Sequence, residues 1–142
     1  MVRYVLDTNT VGALIRLNPN VVTALRLVPI TSVCISVMTE AELLFGLEKR
    51  PEATRLHAAV REFLRRVDVL PFDRPASSVY GALRADLERA GTPVAPFDLL
   101  IAAHALSADA TLVSSDGAFK NIQSLRLVDW IVAAPMASAP AR

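Results

Sequence analysis

Five short apolar runs limit what this chain can become: Val2–Leu6, Val33–Ile35, Val67–Leu70, Thr111–Ser114 and Leu125–Val128. Each is too short for a stable helix, and longer stretches with helical spacing lie between them. Strands that alternate with helices argue for a parallel sheet. Parallel neighbours need a crossover, and the crossover helices cover both faces. The expectation is a three-layer α/β/α fold with a short parallel sheet of four to five strands.

The helices announce their ends. Thr8 or Thr10 can cap a first helix that runs to Leu17 and stops at Asn18-Pro19, and a second runs from about Asn20 to Leu27. Ser36 is placed to cap a third, from about Met38 to Lys49, which Pro51 breaks. A fourth covers about Glu52 to Arg66, with Val60, Phe63, Leu64 and Val67 on one face. A fifth runs from Arg74 to Ala90 and closes at Gly91. Pro96 opens the sixth, to about Ala108, with Asp98 in its first turn. Residues 1–132 read as one domain, and the Ala/Pro/Ser-rich residues 133–142 as a flexible tail.

No apolar stretch reaches the ~18 residues of a membrane span, and Asp7 interrupts the first run too early for a signal peptide. The lone Cys34, between Val33 and Ile35, suits a reducing cytoplasm and a packed side chain better than a nucleophile. The net charge of +1 gives no global pull toward polyanions, yet thirteen of the fifteen basic residues are Arg, whose planar fork matches phosphate.

Four acids stand against apolar runs: Asp7 after the first, Glu42 within Val37–Leu47, Asp98 before Leu99–Ala103, and Asp116 just past Thr111–Val113. Carboxylates so placed are costly unless compensated. In an open α/β sheet, ligands bind at the carboxyl ends of the strands. If the first and fourth strands are neighbours, all four acids converge on one edge. Two carboxylates ~5 Å apart repel by about 3 kcal/mol at an effective dielectric of ~20, so such a cluster calls for a cation. Mg²⁺ or Mn²⁺ fits an all-oxygen site. His57 and His104 stand apart and there is no second Cys, which speaks against zinc. A metal there suits phosphodiester hydrolysis, with Thr8, Asn9 and Ser115 available to hold waters or phosphate oxygens.

These residues carry a resemblance. Leu6-Asp7-Thr8-Asn9, Glu42-Leu43-Leu44-Phe45-Gly46, the segment Gly91 to Asp98, Leu112-Val113-Ser114-Ser115-Asp116 with Phe119, and Leu127-Val128-Asp129-Trp130 follow in the order found in PIN-domain ribonucleases. The chain resembles specifically the VapC toxin family of toxin–antitoxin pairs. The resemblance implies a PIN-like fold and a Mg²⁺- or Mn²⁺-dependent endoribonuclease acting on structured RNA such as transfer RNA. It also implies a homodimer and inhibition by a cognate antitoxin. The family's acids fall on Asp7, Glu42, Asp98 and Asp116; of these, Asp7, Asp98 and Asp116 are the expected metal ligands. Ala95 stands where the family often has Gly.

Competing uses exist for the same residues. Asp7 can be a helix cap, Asp98 a partner of its helix dipole, and Asp116 a turn residue. Arg84 can reach phosphate or an acid, or sit in a surface ion pair. His104 reads as a packed histidine and Trp130 as a packing anchor. Two other functions fit less well. An aspartyl phosphatase of the haloacid dehalogenase type would want a second acid where Asn9 stands. A non-catalytic docking module would use its acids only as caps.

Overall fold

The computed structural model describes residues 2–132; the tail expected at 133–142 lies outside the described residues. Strand β1 (Tyr4–Leu6) runs down the middle of a five-stranded sheet. Its neighbours are β2 (Val33–Ser36) on one side and β4 (Thr111–Val113) on the other, and β3 (Asp68–Leu70) and β5 (Leu127–Val128) form the edges. All pairs are parallel, with Leu6 opposite Val113 and Val5 opposite Cys34. The first and fourth strands are therefore neighbours, the condition on which convergence of the acids depended.

Six helices fill the crossovers: α1 (Thr8–Ile15), α2 (Pro19–Arg26), α3 (Val37–Glu48), α4 (Thr54–Arg66), α5 (Arg74–Arg89) and α6 (Pro96–Ser107). Side chains that alternate along each strand sort into two cores. Val5, Cys34 and Leu112 face α5 and α6, where they join Leu87, Leu99 and Ala102. Leu6, Ile35 and Val113 face the opposite layer, with Val11, Val21, Leu43 and Val60 from α1 to α4. Both faces are covered, and the fold is the expected three-layer α/β/α arrangement. Trp130 packs in the second core against Tyr4, with ring centroids 5.2 Å apart. Cys34 is buried, and burial pushes its thiol pKa up, away from nucleophilic character.

Two boundaries differ from the sequence expectation for local reasons. Asp7, not Thr8 or Thr10, caps α1: its Oδ1 accepts from the Thr10 amide at 2.9 Å. The chain leaves the strand at Leu6, so Asp7 is the first residue free to cap, and Asp ranks above Thr in that role. The Thr10 hydroxyl instead donates to the Val113 carbonyl at 3.1 Å. The first helix also ends before Pro19 can stop it. Leu17 adopts a left-handed φ of 61°, and the Leu17 and Asn18 amides bond back to the Leu14 and Ala13 carbonyls at 2.9 Å. Pro19 then opens α2, with the Asn18 side chain as its cap.

Candidate active site

The carboxyl ends of β1 and β4 lie side by side, and the four sequence-predicted acids meet there. Asp7, Glu42, Asp98 and Asp116 line one cleft of about 150 Å³, together with Thr8, Asn9, Phe97, Ile101 and Phe119. Asp7 comes from the end of the central strand and Asp116 from just past β4. Asp98 comes from the first turn of α6 and Glu42 from the middle of α3. Segments more than a hundred residues apart thus supply one wall, because β1 pairs with β4.

Burial is uneven. Asp7 is buried, 8% exposed, and Asp98 is half-buried. Glu42 and Asp116 are exposed at the mouth. The expectation that all four acids abut the apolar interior therefore holds for Asp7 and in part for Asp98, not for Glu42 or Asp116. For Glu42 the reason is helical phase, since on α3 it is Thr39, Leu43 and Leu47 that turn inward; Asp116 stands past β4, where the chain has already left the sheet.

Each acid is anchored differently. Asp7 Oδ1 is taken by the cap to Thr10, while among the described residues Oδ2 receives no donor and remains for the cleft. The cap and the site are one residue, not alternatives. Asp116 likewise caps the short 3₁₀ turn Gly117–Asn121, accepting from the Ala118 amide at 2.9 Å. The Thr8 hydroxyl donates to Glu42 Oε1. Thr8 therefore orients an acid with its hydroxyl proton, because α1 and α3 pack close enough to bring the two together. Asn9 stands exposed on the cleft wall.

The electrostatics register the convergence. The Asp98 carboxyl is pushed above its ordinary value, first by burial and then by the negative charges of Asp116, Glu42 and Asp7. All three other acids act on this one group. Only oxygen donors line the cleft, with neither imidazole nor thiol among them. Among the described residues, no three acids, imidazoles or thiols already close on a common centre. What the cleft offers a cation is its donor set, oxygen alone, the kind that Mg²⁺ or Mn²⁺ takes.

Two sequence candidates lie elsewhere. Ser115 Oγ donates to Asp129 Oδ1 at 2.7 Å, and Ser115 lines the adjoining hollow on the β5 side rather than the acid cleft itself. Arg84 pairs with Glu88 at 3.0 Å and with the Tyr80 hydroxyl at 2.9 Å on the surface of α5. Those i, i+4 partners on an exposed helix face hold its guanidinium away from the cleft. His104 is buried as expected: Nδ1 lies 2.7 Å from Ser36 Oγ, and the ring meets Phe72 edge-on. Sequence reasoning passed over Phe97 and Ile101, the apolar walls of the cleft. Their signal was present in the stretch around Asp98, since residues 97 and 101 share its side of a helix.

Residues 4–125 match the PIN domain family. The tRNA(fMet)-specific endonuclease VapC of Salmonella typhimurium is 37% identical over 131 residues, 92% of this chain and 99% of the relative. Ribonuclease VapC2 of Haemophilus influenzae is 32% identical, over 92% of this chain and all of the relative (100%). Among solved structures, DNA-bound VapBC from Salmonella typhimurium superposes with a TM-score of 0.84 at 37% identity, covering 92% of this chain and 99% of that one. VapBC2 from Rickettsia felis, bound to a promoter DNA fragment, superposes with a TM-score of 0.82 at 32% identity, with the same coverage.

Proposed function

The chain belongs to the PIN-domain family and, within it, to the VapC ribonucleases, and from that premise we propose that its cleft is the centre of a Mg²⁺- or Mn²⁺-dependent endoribonuclease that cuts structured RNA such as transfer RNA. The observation that carries the metal dependence is the convergence of four carboxylates from distant segments, felt by Asp98 as a raised pKa. A cation is what makes that arrangement favourable when all four are ionised. Transfer RNA is proposed because the Salmonella relative is named for it.

When bound, the ion supplies positive charge for the phosphate oxygens and acidifies a water for attack on phosphorus. The residues of the chain divide the remaining work. Asp7 Oδ2 and the Asp98 carboxylate would hold the ion from the buried end of the cleft, and Asp116 would complete the site from its mouth. Glu42, fixed by Thr8, faces the same space and is placed to take a proton from the attacking water. Phe97, Ile101 and Phe119 give the cleft an apolar lining, which strengthens the charge interactions beside it.

The partners follow the same reading. Related structures are VapBC toxin–antitoxin complexes, and a cognate antitoxin is proposed to restrain this chain by covering the cleft. A homodimer and a cytoplasmic setting belong to the proposal as well; no helix of the described residues is long and apolar enough to cross a membrane. Sedimentation of the purified chain tests the dimer. The caps that Asp7 and Asp116 make are what the docking-module alternative expects, but that reading gives no reason for Glu42 and Asp98 to share their cleft; no observation favours the aspartyl phosphatase.

The test is cleavage of total RNA by the purified protein with Mg²⁺, Mn²⁺ or chelator, beside Asp7→Asn. Asn caps a helix about as well as Asp, so the fold should persist while cleavage falls by at least ~100-fold, roughly the ~3 kcal/mol of a lost charge–metal contact. Full activity in chelator, or in Asp7→Asn, would end the proposal.

A further inference from the structure

Two depressions adjoin the acid cleft, one at each end. On the side of α1, α3 and α4, a groove of about 310 Å³ shares Thr8, Asn9 and Glu42 with the cleft and carries Arg16 and Arg50. On the β5 side, a hollow of about 200 Å³ shares Asp116 with the cleft and carries Lys120. The three spaces form one track with the four carboxylates toward the middle, Arg16 and Arg50 at one end, and Lys120 beside Asp129 at the other.

Those cations are available. Among the described residues, Arg65, Arg66, Arg84, Arg89 and Arg126 are all taken by ion pairs, while Arg16, Arg50 and Lys120 are in none. Arg16 lies along α1 above Gly12, its Nη1 3.2 Å from where a Cβ would stand, so the glycine makes room for the guanidinium. The Arg50 backbone is tied down by His57 Nε2, 2.9 Å from its carbonyl oxygen. On the β5 side Asp129 uses Oδ1 to accept from Ser115 Oγ at 2.7 Å and from the Ile131 and Val132 amides at 2.9 and 3.2 Å. Lys120, in no ion pair among the described residues, is the cation this hollow offers an incoming anion.

A polyanionic strand matches this charge order. Its phosphates are drawn to the cations at either end, and the phosphate between them is delivered over the acids that would hold the ion. The α1-side groove adds an apolar floor of Ile15, Leu43, Leu47 and Leu56, on which an unstacked base can lie. We propose that a single-stranded stretch of RNA runs through all three depressions, with phosphates on one side of the cut seated on Arg16 and Arg50 and on the other side on Lys120. This rests on the ribonuclease reading above and goes beyond it by naming the path of the strand.

The experiment measures binding of a fluorescent single-stranded RNA to the Asp7→Asn protein across a salt series, alone and with Lys120→Gln or Arg16→Gln/Arg50→Gln. Each charge removed should lower the slope of log affinity against log salt by about 0.7. In the Asp7-intact protein the same changes should raise KM several-fold, and more than they lower kcat. Unchanged slopes and KM would overturn the path. So would an Arg16→Gln/Arg50→Gln protein that binds RNA as before but escapes inhibition by the co-expressed antitoxin, since the α1-side groove would then belong to protein. Binding to Asp7→Asn does not require cleavage. A protein that cuts no RNA therefore sinks the ribonuclease reading, while the salt slopes still judge the path.

Discussion

Asp98→Asn should make the metal-free protein more stable. Asp98 shares a cleft of about 150 Å³ with three other acids, each of which raises its pKa. At ~8 Å across such a cleft, one ionised pair repels by about 2 kcal/mol at an effective dielectric of ~20. Glu42 and Asp116 are exposed, and at ordinary ionic strength a Debye length of ~8 Å screens them further. The surviving repulsion relieved by the amide is about 1 kcal/mol in all, or a rise in Tm of ~3–5 °C for a domain of this size. The sign with pH follows from linkage. Asp98 has its pKa raised in the folded state, so the metal-free native protein regains stability as pH falls through that value toward the ordinary carboxylate range. The amide variant lacks that recovery. Thermal unfolding in chelator, at low and high salt, reads the difference, which should shrink as salt rises. Adding Mn²⁺ at ~100 times its Kd should stabilise the parent by about 2.7 kcal/mol and the variant by much less, reversing the order. If Asp98→Asn is less stable in chelator and the gap ignores both salt and Mn²⁺, mutual repulsion is not what sets the energetics of this cleft.

Three other outcomes follow. Thr8→Val removes the donor that fixes Glu42; a hydrogen bond of ~1 kcal/mol predicts a fall in kcat of about five- to tenfold with KM little changed, read by steady-state RNA cleavage. His104 is held neutral, because burial pushes its pKa down despite the opposing Pro71 carbonyl and Asp73 charge; its contribution to stability is complete above the free imidazole value of ~6.5 and fades as pH falls below it. Urea unfolding should show that loss in the parent and not in His104→Asn, and equal pH slopes would refute it. Leu17 sits at a φ of 61° while 74% exposed, so Leu17→Gly relieves a left-handed cost at little loss of burial and should raise stability by ~0.5–1 kcal/mol in the same assay.

The layer order, the six helices and the four acids were legible in the sequence because each depends on short-range signals. Apolar runs set the strands, and Ser36, Gly91 and Pro96 marked helix ends at distances a few residues long. What the sequence hid depends on contacts between elements. Thr8 looked like a cap because a hydroxyl beside a helix start usually is one, and only the approach of α1 to α3 gives it to Glu42. Ser115 and Arg84 looked like site residues by proximity in the chain, yet Asp129 and Glu88 claim them. The degree of exposure of Glu42 was misjudged because an acid within an apolar stretch tells nothing of helical phase until the core is known.

The position of β1 between β2 and β4 has a consequence for synthesis. Asp7 is made long before the strand that fixes its surroundings: Thr10 and Val113, which bond across that seam, are 103 positions apart. Asp116 is later still. A nascent or prematurely terminated chain that stops before Thr111 lacks both the flanking strand and the last acid, so such fragments should be harmless to the cell that makes them, and their expression should leave growth unimpaired. The cleft is in this way incomplete until the codon for Asp116 has been read.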